Sequence, residues 1–99
     1  MTSRTRAARV RFLTTEEGGR LTAPASGVRS HIELGVFQSS CVVEDAEGRT
    51  ELPLGECINV RIKVLFEDWA GTAFSLAETV ELYEGNKLVA TGEFLDTPA

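Results

Sequence analysis

One histidine, two cysteines and one glycine-rich acidic loop are the residues of this chain with chemistry to offer. His31 has no second histidine to share a metal with, and Cys41 and Cys57 stand fifteen residues apart without a CxxC. That spacing matches neither a zinc site nor a redox pair, so two reduced thiols are expected. The loop Glu16-Glu17-Gly18-Gly19-Arg20 has the glycines of a phosphate cradle. It lacks the Lys-Ser/Thr and the helix N-terminus that would hold phosphate, so no nucleotide is expected. No Ser/Cys–His–acid set can be assembled either. The expectation is a chain with no catalytic residues, no metal and no cofactor: a binder and not an enzyme. Its candidate interface anchors are Phe37, Trp69 and Tyr83, since large aromatic rings carry much of the energy at protein interfaces.

Charge narrows the partner. The net charge is −5, but residues 1–15 carry Arg4, Arg6, Arg9 and Arg11 and no acid, leaving the remainder at −9. An acidic body repels phosphate backbones, which favours a protein partner, or a second copy of the chain, over nucleic acid. No apolar run approaches a secretory core or a membrane span, so the chain is expected to be cytoplasmic and off the membrane.

Alternation sets the elements that must position these residues. In INVRIKVLFE, Ile58, Val60, Ile62, Val64 and Phe66 share one parity and Asn59, Arg61 and Lys63 the other. Period two over this length requires a half-buried strand; on a helix the same residues would surround the axis. Further strands are expected from Arg9 to about Thr15, from Val28 to Phe37, from Cys41 to Glu44, from Arg49 to Leu52 and from Leu88 to Phe94. In the second of these Val28, Ile32, Leu34 and Val36 face in, and Gln38-Ser39-Ser40 breaks it or forms a bulge. Phe74 to Tyr83 is helix by propensity, but Leu76, Val80 and Leu82 alternate with Thr79, Glu81 and Tyr83, which favours strand. Asp68-Trp69-Ala70-Gly71 reads as a turn, as do Asp45-Ala46-Glu47-Gly48 and Glu84-Gly85-Asn86-Lys87. Residues 1–8 are expected to be a loose basic start, 9–95 a single domain and 96–99 a tail. Six or so short strands without a confident helix make an antiparallel barrel or sandwich.

Three motifs then fall into a familiar order. VRFLTTEEGGRLT (Val10–Thr22) with Gly27-Val28-Arg29, Asp45-Ala46-Glu47-Gly48 with Glu51-Leu52-Pro53, and VELYEGNKLVATGEF (Val80–Phe94) together resemble the C-terminal barrel domain of bacterial elongation factor Tu. The likeness runs from about Arg9 to Leu95. It implies an all-β, six-stranded antiparallel Greek-key barrel. In that family the barrel packs on the GTPase domain and the middle barrel, and its loops hold the T-stem backbone of aminoacyl-tRNA. Carried over by position, Arg20, Arg29, Glu84 and Lys87 are the implied RNA contacts. Leu21 stands where the family has histidine, and Tyr83 where it has arginine. With those groups lost and the body acidic, association with another protein is the first expectation, and binding of tRNA or structured RNA the alternative.

Overall fold

The alternating runs become strands that close on one another. The computed structural model describes residues 4–35, 37–65 and 67–95. In order they form β1 (Arg4–Phe12), β2 (Val28–Glu33), β3 (Gln38–Asp45), β4 (Cys57–Val64), α1 (Glu67–Leu76), β5 (Thr79–Glu84) and β6 (Lys87–Phe94). The order β1-β4-β3-β2-β5-β6 closes into a barrel in which every pairing is antiparallel. Strands β2, β3 and β4 form a meander; β1 returns beside β4 and β5 beside β2, which makes the topology Greek-key. Closure gives each described strand a partner on both sides, the shortest pairing being that of β2 with β5. The expected fold class is therefore the observed one, with a single helix added.

Strand β4 is built as its alternation dictates. Val60, Ile62 and Val64 are wholly buried and Ile58 nearly so, while Arg61 and Lys63 face solvent. Around them lie Ala8, Val10 and Phe12 of β1, Ile32 of β2, Val43 of β3, Val80 and Leu82 of β5, and Val89 and Ala90 of β6. Leu52 and Phe74, from outside the strands, complete this core. Val36 and Phe66, both expected inward, lie outside the described residues.

Several local expectations are corrected. Strand β1 starts at Arg4 and not Arg9, so residues 4–8 are sheet and not a loose start. Arg6 is 6% exposed, and its Nη1 donates to the carbonyls of Phe74 (2.6 Å) and Ala77 (2.7 Å). A residue that reads as solvated charge thus serves the C-terminal end of α1, whose last carbonyls have no partner within the helix. The region from Asp68 to Leu76 is not a turn followed by strand: it is α1, and β5 begins only at Thr79. Tertiary packing decides this, because the helix lowers Phe74 into the barrel mouth, where its ring meets Phe94 edge-on at 5.4 Å. No helix of the described residues is long and apolar enough to cross a membrane.

Strand β2 ends at Glu33, four residues earlier than expected. The break falls at Leu34-Gly35, where Gly35 adopts φ 95°, and Gln38-Ser39-Ser40 belong to β3. Arg49–Leu52 forms no strand; it makes a single bridge, Glu51 to Ala25. In β6 the pairing steps from Leu82↔Ala90 to Tyr83↔Leu88, which leaves Val89 as an extra residue. Such a bulge shifts the side-chain phase. Val89 turns inward beside Ala90, and Leu88 is only half-buried.

Candidate functional site

Antiparallel order gathers the chemistry-bearing residues at two opposite ends of the barrel. The first end is formed by the β1–β2 and β3–β4 connections and the β5–β6 hairpin. The long β1–β2 connection is organised by a capping box: the Thr14 side chain accepts from the Glu17 amide, and Glu17 Oε1 accepts from the Thr14 amide at 2.8 Å. That amide, and then Arg11 at 2.9 Å, hold the Glu17 carboxyl below its ordinary pKa. Arg20 follows in the same connection. It forms an ion pair with Glu84 and donates from Nε to the Thr22 carbonyl. Glu84 opens a two-residue hairpin in which Gly85 takes φ 63° and Asn86, like every described residue other than glycine, has negative φ, the geometry of a type II′ turn. Lys87 closes that turn opposite Glu84. Arg29 is exposed on β2, and continuing the His31↔Tyr83 register places it level with the hairpin.

All four residues implied as RNA contacts therefore come to one end. Within that set Arg20 is committed to Glu84. Beside Arg20, Leu21 is 82% exposed. Asp45 organises the neighbouring connection: its Oδ2 accepts from the amides of Arg49 (2.7 Å) and Glu47 (2.9 Å). The Arg49 amide, foremost, holds the Asp45 carboxyl below its usual range. A broad cleft of about 760 Å³ opens here against Ala23, Pro53 and Leu54. Arg49, on its margin, is taken up by Asp45 and Glu47.

The opposite end is closed by α1. There β2 and β5 pair through only His31↔Tyr83 and Ile32↔Leu82. Beyond Ile32 the two strands part, and a groove of about 440 Å³ opens between the β2–β3 turn and the end of α1. Its apolar lining is Leu34, Ala73, Leu76 and Ala77, with Leu76 57% exposed. Its lips carry Glu33 on one side and Glu78 and Glu81 on the other. The Glu33 carboxylate accepts from the Gly35 amide (3.0 Å), and Glu81 accepts from the Tyr83 hydroxyl (3.3 Å). None of the three forms an ion pair with a cation among the described residues. Burial raises the pKa of the Tyr83 hydroxyl, and Glu81 and Glu33 add to the rise.

The three aromatic candidates are dispersed. Phe37 is half-buried and packs against the core at the α1 end. Tyr83 lies half-buried on the outer wall, across from His31. Trp69 lies in α1 and not in a turn, and its side chain is outside the described residues. His31 is exposed, whereas Cys41 on the neighbouring strand is wholly buried. The two face opposite sides of the sheet and cannot form a thiolate–imidazolium pair. Burial pushes the Cys41 thiol up to about 12, and Cys57 is exposed. Cys41 pairs with Val64, seven positions along β4 from Cys57, or roughly 23 Å at strand rise, so both thiols are free. No cluster of three His, Cys, Asp or Glu able to hold a metal occurs among the described residues.

Sequence reasoning missed the groove because it missed α1. Glu81 was legible as an outward residue, but Leu76 and Glu78 had been placed in a strand. Comparison with protein-family models and with curated proteins finds no match to this chain.

Proposed function

We propose that this chain is a non-catalytic binding module that associates with another protein through the groove at the α1 end. The observation that carries the reading is Leu76, more than half exposed and lining the same groove as half-buried Leu34. Apolar patches framed by polar residues on soluble domains mark association sites. The resemblance to the C-terminal barrel of elongation factor Tu, a docking domain in that family, supports the same class of function. A cytoplasmic setting belongs to the proposal and rests on the two unpaired thiols. The non-catalytic reading is supported by the opposed facing of His31 and Cys41.

A second reading, binding of tRNA or structured RNA, is favoured by the convergence of Arg20, Arg29 and Lys87 at the far end. It is weakened by the Arg20–Glu84 pair, which cancels one of the three cations. Affinity purification of the tagged chain from its own cells separates the two. The expected result is a co-purifying protein that is lost with Leu76→Ser and retained with the Arg20→Ala/Lys87→Ala double variant. Recovery of RNA that depends on Arg20 and Lys87, falls with salt and ignores Leu76→Ser would overturn the proposal in favour of the second reading.

A further inference from the structure

The geometry points to a lysine- or arginine-bearing segment of another protein, with an apolar side chain among its cations, as the occupant of the α1 groove. This rests on the reading of the groove as a protein-binding surface and states what that surface selects. Three features argue it. The lining pairs two leucines, Leu34 and Leu76, with two alanines, Ala73 and Ala77, in a groove of about 440 Å³, which offers apolar surface to an apolar side chain. The lips carry Glu33, Glu78 and Glu81 around that lining, and among the described residues no cation pairs with any of them.

The third feature is the placement of charge. Arg6 lies beneath the helix end, where its guanidinium is turned to the carbonyls of Phe74 and Ala77 and to the Phe94 ring, 3.9 Å from the centroid. It is 6% exposed and is not presented at the groove's lips. Like charges gathered around one groove repel, and an incoming cation relieves that repulsion while an anion adds to it. Phosphate backbones are disfavoured here on the same ground. The apolar seat supplies affinity and the carboxylates supply orientation and choice of partner.

The test uses a fluorescein-labelled peptide of alternating lysine and leucine, with two controls: glutamate in place of lysine, and serine in place of leucine. Binding to the full chain is followed by anisotropy, and the site by amide shift perturbation in a nitrogen-15 spectrum. The lysine–leucine peptide is expected to bind, to move the amides of Leu34, Ala73, Leu76 and Glu78, and to weaken as salt is raised. The triple variant Glu33→Gln/Glu78→Gln/Glu81→Gln should weaken it by about tenfold, the scale of a few partly exposed ion pairs. Leu76→Ser should do so independently, and both variants should melt no earlier than the parent. Equal binding of the glutamate peptide, or perturbation confined to the hairpin end, overturns the inference. If a native protein partner is lost with Leu76→Ser yet indifferent to the glutamine variant, the protein-binding reading stands and the cationic selection falls. If sedimentation shows a dimer that Leu76→Ser dissociates, a second copy of the chain is the occupant and the inference is overturned.

Discussion

Replacing Arg6 by alanine removes the contact that ties α1 to the barrel. Its guanidinium donates to two carbonyls, at 2.6 and 2.7 Å, and lies over the Phe94 ring at 3.9 Å. A hydrogen bond from a charged donor contributes about 1.5–3 kcal/mol, and a desolvated cation–π contact about 2 kcal/mol. These share one group and do not add in full; removing a buried charged partner generally costs about 3–5 kcal/mol. For a domain whose total stability is on the order of 5–15 kcal/mol, that is a large fraction. With a urea dependence of about 1.5 kcal/mol per molar, the unfolding midpoint should fall by about 2–3 M. Arg6→Lys keeps a charge but not the planar fork that reaches both carbonyls, and should fall between the parent and the alanine variant. Urea titration read by far-ultraviolet circular dichroism gives the total. Hydrogen exchange in the native state should show the amides of α1 opening before those of β4. A loss below about 1 kcal/mol, or unchanged protection of α1, would refute the assignment of Arg6 as the helix anchor.

Cys41 makes stability depend on alkaline pH. Its folded pKa, about 12, lies above the unfolded value of 9.0, so its contribution is complete below pH 9 and is lost as pH rises toward 12. The slope is up to about 1.4 kcal/mol per pH unit, and Cys41→Ala should remove that part of it in titrations at pH 9–11. Under native conditions at pH 8, a maleimide should label Cys57 promptly and Cys41 only on unfolding; equal rates would contradict the burial of Cys41. Ser30 Oγ is buried without a hydrogen-bond partner among the described residues, so Ser30→Ala should be neutral or stabilising by up to about 1 kcal/mol, and a clear loss in thermal melts would mean the hydroxyl has a partner. Ile62→Ala should cost about 2–5 kcal/mol through lost burial and a residual cavity, and a loss under about half a kcal/mol would place Ile62 outside the core.

Local pattern was sufficient wherever a side chain's neighbours along the chain decide its environment. Alternation along β4 sorted Val60, Ile62 and Val64 from Arg61 and Lys63 without reference to any other strand, because a strand sends successive side chains to opposite faces. Glu84-Gly85-Asn86-Lys87 announced its own hairpin, since a glycine at the first central position permits the backbone that tight turn needs. Six or so such strands left barrel and sandwich both open, and only the expected likeness to elongation factor Tu implied the Greek-key barrel. Other features depended on partners far away in sequence. Arg6 reads as a solvated terminal charge until Phe74 and Ala77, some seventy residues on, present their carbonyls to it. On local grounds Asp68–Gly71 reads as a turn and Phe74–Tyr83 supports strand or helix; the open mouth of the barrel, which Phe74 fills, selects helix over Glu67–Leu76. The bulge that turns Val89 inward is a property of the β5–β6 pairing and not of either strand. The groove is illegible for the same reason: Leu34, Leu76 and Glu81 come from three separate elements, and only their packing around the end of β2 makes one surface of them.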